Sequence, residues 1–291
     1  MDVTPGVPSD EAVGWAAHEA ARRGVDLHVV LPDDPHRSLA CHSAFAAVRT
    51  RARRIAPGVR VTAQVATESP ARAAALASVD ACLLVVGEAT TETDELIRTA
   101  YCPVVVVPQR PERPERPSTV PAGTPHHPAD TAPVVVGVGP DTGDEVLAFA
   151  FAEAASRHAG LLVVRAWTDP LIDLGALLPG RIARWDAADE HVRHALHEQL
   201  SRFVAAYPEV HVDTVVANDR CAALLHALAH RARLMVLGHP SHGTVLNGIA
   251  PSPALALAHH LPCPVIVVPP PDPVRRTWLP SRPISLADLR D

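Results

Sequence analysis

The chain has 291 residues and a formal net charge of −6, with acidic and basic residues dispersed along it. That length suits two domains that each bury a core of their own, and the dispersed charge argues against nucleic acid as a partner. All 26 basic residues are arginine. The composition therefore excludes a phosphate-loop lysine, a Schiff-base lysine and a kinase-type lysine.

The cysteines and the first residues indicate the compartment. The five cysteines are odd in number and no two are spaced C-x-x-C, so neither a disulfide framework nor a zinc ribbon is indicated and a reducing cytoplasm is expected. The start, MDVTPGVPSDE, is acidic, and no apolar run approaches the length of a membrane span. We therefore predict neither secretion nor membrane insertion.

The first 108 residues alternate helices with short apolar strands. Before the first helix stands only MDVTPGV, where prolines limit any strand. The segment 87–103 (GEATTETDELIRTAYCP) is interpreted as a loop. The predicted elements are helix 10–23, strand 26–31, helix 39–55, strand 59–65, helix 69–78, strand 82–87 and strand 103–107.

Residues 109–132 are rich in proline and predict an extended, semi-rigid linker. The second domain, 133–269, repeats the alternation, and a similar Pro-rich tail, 270–291, follows it. Asp141 or Thr142 is expected to cap its first helix, which is expected to end at Gly160. The predicted elements are strand 133–139, helix 144–160, strand 161–167, an insertion at 168–188, helix 189–206, strand 210–216, helix 219–231, strand 233–238, a helix ending near His260 and strand 264–268.

A repeat connects the two domains. Residues 57–87 align without a gap onto 208–238, and each stretch leads to a Cys-Pro-Val strand, CPVVVVP in one copy and CPVIVVP in the other. Gly87 lies 15 residues before Cys102, whereas Gly238 lies 25 before Cys263. The first copy therefore lacks ten residues after its fourth strand, where an α/β sheet usually holds its ligand.

These pieces, in this order, resemble the universal stress protein family in its tandem two-domain form. The resemblance covers nearly the whole chain outside linker and tail. It implies an α/β fold of two tandem Rossmann-like domains, each a five-stranded parallel sheet of order 3-2-1-4-5 with helices on both faces. The first domain is degenerate at its first strand, since that order makes residues 2–7 a short central strand; a start codon further upstream is the alternative.

The same order places both Cys-Pro-Val strands at sheet edges. Because apolar edge strands are normally covered, we predict that the two pair antiparallel and join the domains as an internal dimer, and a further homodimer remains open. The resemblance implies a cytoplasmic stress-response module that binds or regulates and is not an enzyme. It does not identify the regulatory protein partner.

Some family members bind ATP or AMP through an Asp after strand 1 and a Gly-x2-Gly-x9-Gly-Ser/Thr loop after strand 4. Here Gly238 and Ser252 match the loop, but Ser241 and Pro251 replace its other glycines, and Gly139 replaces the Asp. Proline has no N–H to donate, so we expect weak binding. The candidate ligands of the nucleotide are Gly137, Gly139, Asp141, Gly238, Ser241, His242, Gly243, Thr244 and Ser252, with His239 as a further donor.

Three other interpretations are weaker. A ligand-free scaffold that acts by dimerisation is the main alternative. The loop of the first copy is too short for a phosphate loop, and its carboxylates would repel a triphosphate. An ATPase or an NAD(P) oxidoreductase ranks below it, since the glycine spacing from Gly137 is one residue too long for a dinucleotide fingerprint. No Asp-then-His pair follows Ser241, which excludes a hydrolase triad in the usual order.

No metal site is expected. The histidines at 191, 194 and 197 rotate around a predicted helix and are interpreted as a solvated face. Cys102 and Cys263 are interpreted as small packing residues before buried strands.

Overall fold

The structure is a computed structural model. It describes residues 2–4, 9–32, 38–66, 69–87, 91–109, 132–139, 142–167, 181–218, 221–239, 257–258 and 260–270. Most of the predicted linker and the tail after residue 270 lie outside these ranges.

Strands and helices alternate through both halves. The strands are β1 Asp2–Thr4, β2 Leu27–Pro32, β3 Val61–Ala66, β4 Leu84–Val86, β5 Val104–Val106, β6 Val134–Gly137, β7 Leu161–Trp167, β8 Val212–Asn218, β9 Leu234–Gly238 and β10 Val265–Val268. The helices are α1 Asp10–Arg23, α2 Ser38–Ile55, α3 Pro70–Ala77, α4 Thr91–Thr99, α5 Asp144–Ser156, α6 Arg181–Ala206 and α7 Cys221–Ala229.

All ten strands form one sheet in the order β3-β2-β1-β4-β5-β10-β9-β6-β7-β8. Each half, counted from its own first strand, has the order 3-2-1-4-5. Neighbours within a half run parallel, and β5 and β10 run antiparallel with Val105 opposite Ile266. The predicted pairing of the two Cys-Pro-Val strands is confirmed. Both strands are valine-rich and buried along their length, so the seam is part of the core.

The first strand is short but central. β1 has three residues and lies between β2 and β4, with Val3 opposite Val29 on one side and Val85 on the other. This confirms the proline-limited central strand. Without it, β2 and β4 would each expose an unpaired edge inside the domain.

The structure corrects the sequence prediction at three places. Residues 91–99, interpreted as part of a loop, form α4, because Leu96 and Ile97 are buried and anchor an otherwise acidic helix. α6 begins at Arg181, eight residues before the predicted start at 189. The N-cap of α5 is Gly143, which makes no side-chain hydrogen bond, so neither Asp141 nor Thr142 holds the capping position.

The end of α5 is also corrected. The helix stops at Ser156, and the chain turns at His158, whose φ is 50°, before it reaches Gly160. His158 stands where α1 has Gly24, whose φ is 66°. The two helices are therefore structural twins, each opening on Asp-Glu and each closed by a left-handed residue.

A buried cluster of charges joins α1 to α5. Glu19 and Glu153 occupy equivalent positions on the twin helices and are 2% and 3% exposed. Arg157 donates from Nη2 to Glu153 Oε2 at 2.8 Å and to Glu19 Oε2 at 2.9 Å. Arg23 mirrors it, bonding Glu19 Oε1 at 2.7 Å through Nε and Glu153 through Nη2. Each arginine therefore bridges the carboxylate of its own half and that of the other.

Aromatic rings complete this symmetric contact. The Arg23 guanidinium lies 5.9 Å from the centre of the Phe149 ring, and that of Arg157 lies 5.9 Å from the Trp15 ring. Burial alone would raise the pKa of Glu19, but the positive charges of the neighbouring arginines hold it at about 2. Burial would lower the pKa of Arg23, but the two carboxylates raise it above its ordinary value. Glu19 and Arg23 are therefore both ionised at neutral pH.

Among the described residues, no helix has both the length and the apolar character needed to cross a bilayer.

Candidate functional site

The candidate site lies where β6 and β9 end side by side. The two strands run parallel with Val136 opposite Val236, so Gly137 and Gly238 close them at the same edge of the sheet. From β6 the chain passes to β7 on one side, while β10 lies on the other side of β9. This divergence makes a crevice at the carboxyl ends of the strands, the usual ligand position in an open α/β sheet.

A tight turn after β6 forms one wall of the crevice. The N–H of Gly139 donates to Thr142 Oγ1 at 2.7 Å, and the N–H of Thr142 donates to the Gly139 carbonyl at 3.3 Å. A Cβ at Gly238 would lie 4.0 Å from Thr142 Cγ2. The structure therefore brings together Gly139, Thr142 and Gly238. Thr142 was considered only as a helix cap and was not predicted as a site residue.

Packing accounts for two of the predicted site glycines. A Cβ at Gly137 would lie 2.9 Å from Leu237 Cδ2 and 3.1 Å from Leu225 Cδ1, because α7 packs closely on β6. A Cβ at Gly238 would lie 3.2 Å from Val146 Cγ2 on α5. Both glycines therefore have a packing reason that does not depend on a ligand, and the contact at Gly137 is the closer one.

The first half shows the same packing. A Cβ at Gly87, which ends the fourth-strand region there, would lie 2.6 Å from Ser9 Oγ and 2.9 Å from Ala12 Cβ. Ser9 is the N-cap of α1 and accepts a hydrogen bond from the Ala12 N–H at 3.2 Å. In both halves, then, a glycine lets the first helix begin close to the end of the fourth strand.

Carboxylates lie at the first turn of α5, beside the crevice. The Glu145 carboxylate lies over Gly143, in the space that a Cβ there would need. Burial, and to a smaller extent the charge of Asp144, raises the pKa of Glu145 above its ordinary value. Asp144 itself pairs with Arg202. Negative charge is favourable at a helix N-terminus. These carboxylates therefore occupy a position that would otherwise suit a phosphate.

Among the described residues, Arg165 brings a positive charge to the turn at Gly139. Arg165, on β7, is half-buried and its Nη1 lies 3.4 Å from the Gly139 carbonyl oxygen. The equivalent residue after α1 in the first half is Leu31. We did not predict Arg165 as a site residue, although a single arginine in the apolar run LLVVRAW was a visible signal.

The remaining predicted ligands of the nucleotide lie outside the described residues. They are Asp141, Ser241, His242, Gly243, Thr244 and Ser252, and Pro251 lies outside with them. The backbone N–H of His239 donates to the Val268 carbonyl at 2.8 Å, which extends the pairing of β9 with β10. That amide is therefore engaged in the sheet and is not available to a phosphate.

The structure also describes the histidines of α6 and the cysteines that precede β5 and β10. His191, His194 and His197 are all exposed on α6, and the described part of the chain holds no group of three or more metal-ligating side chains. Cys102 and Cys263 are buried, and burial raises the pKa of the Cys263 thiol to about 12. A thiol so hard to deprotonate is a packing group and a poor nucleophile.

A protein-family model matches the second half of the chain. Residues 131–269 match the universal stress protein family. That stretch contains β6 to β10, the crevice and both carboxylates at the start of α5.

Curated proteins similar in sequence to this chain include universal stress proteins of mycobacteria. Universal stress protein Rv2623 of Mycobacterium tuberculosis is 32% identical over 173 residues, which are 59% of this chain and 52% of that protein. Universal stress protein Mb2028c of Mycobacterium bovis is 32% identical over 176 residues, 60% of this chain and 54% of that protein. The chain thus spans about half the length of these relatives.

Solved structures show the same fold over both halves. Protein PA1789 of Pseudomonas aeruginosa superposes with a TM-score of 0.59 at 17% identity, covering 94% of this chain and 92% of that one. A universal stress protein of Archaeoglobus fulgidus superposes with a TM-score of 0.55 at 13% identity, covering 92% and 97%. At such identities the likeness establishes the fold alone.

Proposed function

Because residues 131–269 form a universal stress protein domain, we propose that this chain is a stress-response module that binds or regulates and does not catalyse a reaction. In this proposal it works in the cytoplasm as two tandem Rossmann-like domains joined through β5 and β10. The continuous ten-stranded sheet and the free thiols among the described cysteines support it.

The proposed ligand is an adenine nucleotide, ATP or AMP, bound in the second half. The observation that carries this proposal is the convergence of Gly139, Thr142 and Gly238 at the carboxyl ends of β6 and β9. There the Gly139 turn and the loop that follows Gly238 flank one crevice. Arg165 supplies a cation beside it that is suited to a phosphate.

Binding in this proposal is weak, and no metal of the protein's own takes part. Pro251 and Ser241 replace glycines of the phosphate loop, and the Glu145 carboxylate lies at the first turn of α5. Each lost charge-assisted hydrogen bond lowers affinity by about tenfold to a hundredfold.

The second candidate is a ligand-free scaffold. The reciprocal pairing of Glu19 with Arg157 and of Glu153 with Arg23 favours it, because this contact fixes how the halves sit without any ligand. Under this alternative the crevice is a remnant, and the protein acts through its partner-binding surfaces.

Mass spectrometry of the purified protein under native conditions tests the nucleotide. Retained ATP or AMP supports the proposal, and retained NAD would instead support an oxidoreductase. Calorimetry then compares ATP binding by wild type and by Ser241→Gly/Pro251→Gly, which we expect to tighten binding about tenfold or more. Gly58→Ala, far from the crevice in sequence and with open space around its Cβ, is the control. If the double variant binds no better than wild type, the loop is not a phosphate cradle and the scaffold is favoured.

A further inference from the structure

β3 lies at one end of the sheet, and one edge of it points away from β2. β3 is the last strand of the sheet next to β2, and no strand in the described part of the chain pairs with its other edge. Four consecutive residues, 62–65, are exposed, so both faces of the strand are open to solvent along this stretch. Among them Val65 is 45% exposed, unusual for a valine in a strand.

The hydrogen bonds between β2 and β3 show which backbone groups of β3 point away from β2. Leu27 on β2 lies opposite Val61, and its N–H donates to the Arg60 carbonyl at 2.9 Å. In a parallel ladder successive residues turn their backbone groups to opposite sides. The even-numbered residues of β3 therefore face β2. The N–H and C=O groups of Val61, Ala63 and Val65 point outward.

Two of the usual protections of an edge strand, a charged residue and a proline, are missing from β3. β3 reads VTAQVA, with no charged residue and no proline. The opposite edge of the sheet, β8, carries Asp213, whose side chain is 70% exposed. The two edges therefore differ, and β3 is the one open to another strand.

We propose that β3 pairs antiparallel with β3 of a second copy of this chain, about a twofold axis at Ala63. The sequence V-T-A-Q-V is nearly palindromic about that residue, which is why the second copy is the occupant. Val61 then lies opposite Val65, Ala63 opposite itself, and Thr62 opposite Gln64. Such self-complementarity is what a closed twofold interface requires.

The register agrees with the free backbone groups. Each outward residue meets another outward residue, so each pair exchanges both of its hydrogen bonds. The valines and alanines of both copies form one apolar strip on one face, and Thr62 meets Gln64 on the other. Contact limited to one strand is small, so we expect a weak dimer with a micromolar dissociation constant.

This dimer is independent of the nucleotide proposed above. The crevice lies at β6 and β9, in the other half of the sheet. A failure to bind nucleotide leaves the pairing of β3 untouched.

Analytical ultracentrifugation of the full chain over a range of concentrations is the first test. We expect the mass to rise from the 30.9 kDa of one chain toward twice that value. Ala63→Lys sets two ammonium groups opposite each other at the axis and should raise the dissociation constant at least about tenfold. Thr214→Lys, at the equivalent exposed position on β8, is the matched control and should leave the dimer unchanged.

Disulfide trapping tests the register separately. Thr62 and Gln64 would form a non-hydrogen-bonded pair with Cα atoms about 4.5 Å apart, within reach of a disulfide. We expect Thr62→Cys/Gln64→Cys to cross-link under mild oxidation. A mixture of the two single variants should also cross-link, whereas wild type and either variant alone should not.

Each outcome decides the proposal. A wild type that stays monomeric at about 100 μM overturns it. A dimer that Ala63→Lys does not weaken and that gives no specific cross-link uses another surface and also overturns it. A monomer whose outward β3 amides are protected from hydrogen exchange has this edge covered by the chain itself, which overturns the proposal as well. A dimer weakened by Ala63→Lys and cross-linked only through the paired cysteines upholds it.

Discussion

Arg157 of the second half bonds Glu19 of the first at 2.9 Å from Nη2 to Oε2, and Arg23 makes the reciprocal bond to Glu153. Twin residues thus exchange partners across the seam between β5 and β10, as in the interface of a symmetric dimer. The contact closes the helical layer over the seam, while the two strands join the sheet below it. The halves are consequently held together by two separate sets of interactions.

Removing one carboxylate of this cluster should destabilise the whole chain. Besides Arg23 and Arg157, Arg22 also bonds Glu19, so Glu19→Gln leaves three guanidinium groups around a neutral amide at a site that is 2% exposed. Breaking a buried pair in this way typically costs about 3–5 kcal/mol. We expect a lower urea midpoint for both halves together. Glu11→Gln, at an exposed position of the same helix, is the control. A loss of under about 1 kcal/mol would show that the cluster is not coupled to folding.

The same cluster predicts acid sensitivity. The pKa of Glu19 is about 2 in the folded protein and 4.5 is its ordinary value, so the unfolded chain binds more protons between these limits. The stabilisation is fully present above about pH 4.5 and is lost as the pH falls toward 2. Thermal unfolding from pH 6 to pH 2.5 should show a steeper loss in wild type than in Glu19→Gln. Parallel curves for the two proteins would contradict this assignment.

Sequence pattern predicted the strands of both halves best, because valine-rich strands that alternate with amphipathic helices leave few alternatives. It failed at α4, where only Leu96 and Ile97 mark a buried face and the acidic residues resemble a loop. It also missed the charge cluster. Glu19 and Arg23 are spaced like an ordinary surface pair on one helix, and only the packing of α1 on α5 buries them.

Sequence spacing predicted the glycines at the ends of β6 and β9 but not the charged groups beside them. The glycines at 137 and 238 lie at the crevice, yet the structure gives both a packing reason that sequence spacing does not reveal. Arg165 and Glu145, the charged groups beside the crevice, belong to no sequence motif of the phosphate loop. Their roles depend on which side chains the turn at Gly139 brings near, which is a tertiary property.

Replacing the glycines at the ends of the fourth strands by alanine should show which of the two positions is packed more tightly. Gly87→Ala places its Cβ 2.6 Å from Ser9 Oγ and 2.9 Å from Ala12 Cβ, so the N-cap of α1 must move. Gly238→Ala meets only Val146 Cγ2 at 3.2 Å. We expect Gly87→Ala to cost about 1–3 kcal/mol and Gly238→Ala to cost less, measured by urea unfolding. Gly58→Ala, with nothing near its Cβ, should be neutral or slightly stabilising.

Hydrogen exchange tests the short central strand. With β1 in place, the amides of β2 and β4 should exchange far more slowly than those of an unstructured segment, because strands cover them on both sides. Val3→Pro removes a donor from the centre of the sheet. It should speed exchange in β2 and β4 and leave β7 and β9 protected. Equal exchange in wild type and variant would mean that β1 does not hold the first half together.

If nucleotide binds in the second half, the charged groups beside the crevice should affect its affinity. The Glu145 carboxylate lies over Gly143 at the first turn of α5, and Arg165 Nη1 lies 3.4 Å from the Gly139 carbonyl oxygen. A phosphate bound near both groups meets one like and one opposite charge. We expect Glu145→Gln to tighten ATP binding and Arg165→Gln to weaken it, each by about tenfold, measured by calorimetry.

The stability of Glu145→Gln, measured against pH, is a control for the effect of this substitution on folding. Because burial raises the pKa of Glu145, ionisation of that group opposes folding at neutral pH. The stability difference between Glu145→Gln and wild type should therefore favour the variant above the raised pKa and shrink as the pH falls and the wild-type carboxyl takes up its proton. ATP affinity of wild type should rise over the same fall in pH. If Glu145→Gln stabilises the fold as expected but leaves ATP affinity unchanged, the carboxylate does not face a phosphate, and the nucleotide, if bound, lies elsewhere.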